Sequence, residues 1–328
     1  MERLATTYLT LPLKNPIIAA SSPLTSTVDK MKKLEDAGVA AVVVKSIFEE
    51  QIDHDAAKMI QQTDGFVSHT DGHDFLEEVS RSYYIDSYLS LVQKATEALE
   101  IPVIASINCR TKGSWLNYVD KFAQAGADAL ELNYYILPSN FSHTSTEIEN
   151  EYFSVIEAAR KQTRLPIAVK LGTHFTALAN VVKRLDEMGI NGFVLFNRFY
   201  QPDIHIDKMA TNSTIGLSNP DDYAQAMQWT ALLSAYLNGD ICASTGIHSG
   251  KSLIKMLLAG AKAVQLCSAI MKKGDAVVAQ MLDELTQWMD KHEAQTFVDF
   301  RGKLAHKRVA DPTQWERAQY MKSLNVEF

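Results

Sequence analysis

The chain has 328 residues, 46% hydrophobic and 22% charged, the balance of a globular protein with ample length for a sizeable core. A formal charge of -7, with Lys and Arg scattered rather than clustered, gives no basic footprint for nucleic acid. Cys109, Cys242 and Cys267 are too few and too widely spaced for a disulfide framework, and no Cys-x-x-Cys pair suggests zinc or an iron–sulfur cluster; a reducing cytoplasm is the expected compartment.

The opening segment MERLATTYLTLPLKNP lacks a basic start followed by an apolar core, so no signal peptide is expected, and no window has the roughly eighteen apolar residues of a membrane span. Within it, LATTYLTLPL (4–13) reads as a short hairpin. Eight apolar, β-branched runs follow: IIAA (17–20), AAVVVKS (40–46), PVIASIN (102–108), ALELNY (129–134), PIAVKLG (166–172), GFVLFN (192–197), DICAST (240–245) and AVQLCS (263–268). Between them lie amphipathic segments, several ending in AG or MG.

Continuous apolar strands are buried on both faces, as in parallel sheets, and their alternation with helices implies right-handed crossovers. Eight such units predict a (β/α)₈ TIM barrel, one domain over 1–328, its bottom closed by the N-terminal hairpin. Gly38, Gly126, Gly189 and Gly260 each end a helical segment just before a strand, where a left-handed cap favours glycine. An open doubly wound sheet is the alternative, but no Gly-x-Gly-x-x-Gly follows the first strand.

Residues 47–100 are too many for one loop and helix. A top-face excursion over about 47–80 is expected, with QTDGFVSHTDGHDF as loop and SRSYYIDSYLSLVQKATEAL as helix. From Ala276 the chain reads as helices outside the barrel.

In a barrel the strand C-termini face the site. They carry Ala20 and Ser21, Lys45 and Ser46, Asn108 and Cys109, Asn133, Lys170, Asn197, Thr245 and Gly246, and Cys267 and Ser268. Two lysines and three asparagines around one mouth need polar partners, and a bound ligand is the natural one. Lys45 could equally snorkel to solvent, whereas the apolar flanks of Lys170 predict burial. The run STGIHSGKSLIKMLLAGAKAVQLCSAIMKKG sets a small-residue turn after each of the last two strands, a common phosphate grip of barrels, though these could also be plain tight joins.

These residues resemble a known family, the dihydroorotate dehydrogenases, together with the flavin domain of dihydropyrimidine dehydrogenase. NPIIAAS, VVVKS, PVIASI, GADALELN and LPIAVKL resemble its first five strands, and STGIHSGKSLIKMLLAGAKAVQLCSA its phosphate-binding end. The resemblance runs from about Leu4 to Gly302. It implies FMN across the barrel mouth, with Ala20, Ser21, Lys45, Ser46, Asn108, Asn133, Lys170 and Asn197 toward the ring or ribityl chain. Thr245, Gly246, Cys267 and Ser268 would hold the phosphate. Lys45, Asn133, Asn140 and Asn197 would face substrate, and a homodimer, with a possible electron-transfer partner protein, would be the assembly.

The family's reaction oxidises a ring CH–CH bond: a hydride passes to flavin while a Cys or Ser after the fourth strand removes a proton. Here that segment is Asn133, Tyr134, Tyr135, Ile136, Leu137, Pro138, Ser139, Asn140, with Ile136 at the base position, and neither Ile136 nor Leu137 can accept a proton. Ser139 and His143 are candidates for a relocated base, with Tyr135 and Cys109 also in the right loops; each also reads as an ordinary turn, surface or core residue. The loop after the second strand has no match to the family's orotate grip, and His69 and His73 lack metal-ligand spacing, so no metal is expected. Three functions follow: an FMN-dependent oxidoreductase acting on a small cyclic, pyrimidine-like substrate; a flavoprotein serving a partner without dehydrogenase activity; or a non-redox phosphate-binding barrel using Lys45 or Lys170 as a Schiff-base lysine.

Overall fold

A computed structural model describes residues 2–49, 70–109, 113–198, 201–214 and 216–316. Each of the eight apolar runs contains a strand: β3 (Ile17–Ala19), β4 (Ala41–Val43), β6 (Val103–Cys109), β7 (Ala129–Tyr134), β8 (Ile167–Leu171), β9 (Gly192–Leu195), β12 (Asp240–Ser244) and β13 (Ala263–Leu266). All pair in parallel, in the order β4-β3-β13-β12-β9-β8-β7-β6, and β4 pairs with β6. That last pairing closes the sheet and excludes the open doubly wound alternative. A two-residue strand, β5 (Ile47–Phe48), prolongs the second unit alongside β6.

Side chains alternate across each strand, so every strand feeds two cores. Outward residues such as Val42, Leu132, Val169 and Phe193 join the large cluster beneath the helices. Inward residues Ile18, Val43, Ile104, Ala129, Ala168, Val194 and Ala263 form a separate cluster in the lumen.

The expected N-terminal hairpin is present, β1 (Thr6–Tyr8) against β2 (Leu11–Leu13), and Tyr8, Leu9 and Leu13 belong to the lumen cluster. The hairpin is therefore the bottom stopper of the barrel. Leu9 N donates to Asp240 Oδ2 at 3.0 Å, and Lys262 pairs with Asp240 at 2.6 Å. Gly192 makes room for it: a Cβ there would meet Leu9 Cδ2 at 2.6 Å.

Gly38, Gly126, Gly189 and Gly260 all have positive φ, as the helix-to-strand joins require. Two expectations need correction. The stretch TDGHDF was expected as loop, but the helix after the second unit is Thr70–Ala98 and includes it; the long helical stripe carries the turn-prone start along. An antiparallel pair, β10 (Gln201–His205) with β11 (Ala210–Thr214), stands after the sixth barrel strand where no strand was expected. Residues 50–69 of the expected excursion, His69 included, lie outside the described residues. The C-terminal part continues as the helix Ala276–Lys291 and a short 3₁₀ turn, Phe297–Asp299. Among the described residues no helix is long and apolar enough to cross a membrane.

Candidate active site

The mouth is built in layers, because parallel strands in register bring equivalent residues to one height. Asn108 pairs with Asn133, and Leu132 with Val169, so Asn108, Asn133 and Lys170 lie together at the upper end. Lys170 is 7% exposed, as its apolar flanks predicted, whereas Lys45 is only half-buried. Asn197 Nδ2 donates to Asn133 Oδ1 at 2.6 Å, which orients both carboxamides.

On the first two units the sites are joined by hydroxyls. Ser21 Oγ accepts from Ser46 N at 2.8 Å, and Ser46 Oγ lies 2.7 Å from Ser106 Oγ. Tyr88 clamps Ser106 by accepting from its N–H at 2.8 Å and donating to its carbonyl at 2.9 Å. Ala20 is buried beside this chain, its N–H bonded to Leu266 O. A cavity of about 580 Å³ opens next to Lys45 and Ser46, walled on the far side by Tyr84, Ser87, Tyr88 and Leu91.

At the other rim three loops are tied together. Ser218 N donates to Ser268 Oγ at 3.0 Å, and Ser218 Oγ is 2.9 Å from His248 Nε2. Lys272 donates to Ser218 O and Lys273 to His248 O, both at 2.8 Å, bringing two positive charges to this corner. Burial, then Lys272 and Lys273, holds the His248 imidazole below its ordinary pKa. Burial likewise raises the Cys267 thiol, which leaves it neutral beside a contact with Ser22. The helix Gly250–Ala259 is internally capped by Ser249 and Ser252, and Gly250 N donates to Glu284. The short helix Ser268–Lys273 has no side-chain cap, so its first N–H groups are the ones left for an anion.

Thr245 and Gly246 both have positive φ, 76° and 77°, and Thr245 Oγ1 donates to Phe196 O at 3.1 Å. Glycine at 246 also lets the neighbouring backbone pack closely, since a Cβ would stand 2.1 Å from Tyr223 N.

The loop after β7 carries the candidate proton-transfer groups. Ile136 is half-buried and packs on the outer core, which fits its side chain and not a base. Ser139, Asn140 and His143 are exposed; Asn140 Oδ1 accepts from Ser142 N at 3.0 Å and Asn140 O from His143 N at 3.2 Å, a local turn. Cys109 is fully buried at the end of β6. Tyr134 donates to Glu151 at 3.1 Å, and the Tyr135 ring is tilted by 58° to that of His174, centroids 6.4 Å apart.

Three polar residues were not singled out from the sequence: Glu131 and Gln265, which meet Lys170 in the lumen, and His248. The signal for the first two was available. A charged or amide residue inside the runs ALELNY and AVQLCS has nowhere polar to go except the barrel axis.

The model of the dihydroorotate dehydrogenase family matches residues 3–289. The chain belongs to this family. It is 24% identical over 310 residues to a protein of Thermoplasma acidophilum named dihydroorotate dehydrogenase B (NAD(+)), catalytic subunit, covering 92% of this chain and 99% of that one. A protein of the same name from Methanocaldococcus jannaschii is 25% identical over 314 residues, 92% and 98% of the two chains. The chloroplastic dihydropyrimidine dehydrogenase (NADP(+)) of Arabidopsis thaliana is 24% identical over 332 residues, 91% of this chain and 76% of that one.

Proposed function

We propose that the protein is an FMN-dependent oxidoreductase that oxidises or reduces a CH–CH bond of a pyrimidine-like or related small cyclic substrate. The observation that carries this reading is the buried ammonium of Lys170, set beside Asn133 and Asn197 at the mouth of a barrel of this family. The donor set fits the cofactor at both ends. An ammonium and oriented carboxamides suit the carbonyl edge of a ring, while Ser268, the uncapped helix start, Lys272 and Lys273 suit a phosphate dianion.

Bound FMN would supply the hydride acceptor or donor. Ala20, Ser21, Lys45, Ser46, Asn108, Asn133, Lys170 and Asn197 would hold its ring and chain, and Thr245, Gly246, Cys267 and Ser268 its phosphate. Lys45, Asn133, Asn140 and Asn197 would orient the substrate. Proton transfer would fall to His143 or Ser139, on a loop whose exposed turn leaves both side chains free to approach a ligand. A small-molecule substrate in a homodimer is the assembly in view, and an electron-transfer partner is in keeping with relatives that are named as catalytic subunits.

The test is a yellow purified protein mixed anaerobically with dihydroorotate, dihydrouracil and dihydrothymine while flavin bleaching is followed. Bleaching by any of them supports the dehydrogenase, and His143→Asn or Ser139→Ala would then slow reduction at unchanged FMN content. Bound FMN that none of the three reduces favours a second reading, supported by Ile136 at the base position: a flavoprotein serving a partner. Colourless protein that does not take up FMN rejects both.

A further inference from the structure

Lys170 does not stand alone. Its ammonium donates to Gln265 Oε1 at 3.0 Å and lies 3.5 Å from Glu131 Oε1, while the Gln265 amide donates to Glu131 Oε2. The residues come from β8, β13 and β7, and β13 is separated from β8 by β12 and β9, so they meet across the barrel axis. The amide can serve both neighbours in one orientation only, its oxygen toward the ammonium and its nitrogen toward the carboxylate.

The heights differ. Glu131 is in register with Ala168, two residues before Lys170, which sets its backbone one layer deeper, about 7 Å along the strand. Ala168, Val194 and the stopper residues Tyr8 and Leu9 belong to the apolar cluster of the same lumen. Glu131 is 1% exposed, and its Oε1 has no hydrogen-bond partner among the described residues. A carboxylate so sealed carries a desolvation cost that a leucine in the same place would not. The thiols of Cys242 and Cys267 lie within electrostatic reach of Lys170, and Tyr8, Tyr88 and Cys242 within reach of Glu131.

We propose that Glu131, fixed by Gln265, is a positioning residue that sets the reduction potential of the bound flavin through Lys170. The inference rests on the FMN reading above. On bound FMN, uptake of two electrons and one proton would leave a negative charge, which the Lys170 ammonium would stabilise. The carboxylate one layer below holds that ammonium in place and withdraws part of its positive potential.

The experiment loads wild type, Glu131→Gln, Gln265→Glu and Lys170→Met with FMN. Affinity for oxidised FMN is read by fluorescence quenching, and the midpoint potential by equilibration with a reference dye. Glu131→Gln is expected to shift the potential positive, raising the preference for reduced over oxidised FMN roughly tenfold for one charge some 10 Å away at an effective dielectric near 20. Gln265→Glu and Lys170→Met are expected to shift it negative. A merely structural role would weaken binding without opposite-signed shifts, so an unmoved potential, or shifts of the same sign in Glu131→Gln and Gln265→Glu, overturns the proposal. Should Glu131→Gln not fold, Gln265→Glu carries the test with its sign alone. Wild type that does not quench FMN fluorescence overturns the flavin reading, and this inference with it; wild type that binds and cycles FMN with unmoved variants overturns only the role of Glu131.

Discussion

Gly246 and Gly189 have nearly the same left-handed backbone, φ 77° and 83°, in opposite surroundings. An alanine Cβ at 189 meets nothing within 4 Å, whereas at 246 it stands 2.1 Å from Tyr223 N and 2.5 Å from Asp222 C. Gly189→Ala therefore isolates the backbone strain, about 1 kcal/mol once the lower entropy of the unfolded chain is counted. Gly246→Ala adds a collision with main chain, which cannot rotate aside as a side chain can, and overpacking of this kind adds about 1–3 kcal/mol. Urea denaturation is expected to show a loss of about 1 kcal/mol for the first and about 2–4 kcal/mol for the second, with unchanged slope. Because the turn at 245–248 is tied through His248 to Ser218 and Ser268, FMN affinity should fall in Gly246→Ala and hold in Gly189→Ala. Equal destabilisation by the two would refute the reasoning, for it would mean that the close approach of Asp222 and Tyr223 constrains nothing.

The His248 imidazole, held below its ordinary 6.5 by burial and by Lys272 and Lys273, takes up a proton later in the folded state than in the unfolded chain. Its contribution is present above that ordinary value and is lost as pH falls through it toward the folded value; His248→Gln should flatten this slope in thermal denaturation as the pH is lowered from about 6.5. Leu9, fully buried in the stopper, should cost about 2–5 kcal/mol as Leu9→Ala in the same urea assay, and a loss under 1 kcal/mol would mean that the hairpin does not seal the lumen. Tyr152 buries a hydroxyl with no hydrogen-bond partner among the described residues, so Tyr152→Phe should be neutral or stabilising by up to about 1 kcal/mol, and a clear loss would reveal a partner.

The barrel was legible because its strands are buried on both faces, leaving runs such as AAVVVKS that no surface element would tolerate. The strand ends were legible for the same reason: Lys170 and Asn133 are polar exceptions at the end of apolar runs. The pair β10–β11 was not, because QPDIH and ATNST carry no apolar alternation and residues 202–204 and 210–212 face solvent; Ile204 is exposed where a buried strand would hide it. TDGHDF misled because Gly72 and its polar neighbours favour a turn locally, while the helix that contains them is fixed by packing further along, at Ile85, Tyr88 and Val92. Glu131 and Gln265 sit a layer below the strand ends, so attention to the ends alone passes over them. His248 passed unnoticed within TGIHSG, because only the fold brings it to Ser218.

The stopper also has a history in time. Leu9 reaches its Asp240 partner across 231 positions of sequence, and Pro16 O waits for Val264 N. During synthesis this segment leaves the ribosome long before its partners and is thus among the last to find its place, and the Tyr8 and Leu9 side chains must remain without their seat until nearly the whole barrel has emerged. Closure at the base and closure of the ring, where β3 meets β13, then become one late event rather than two.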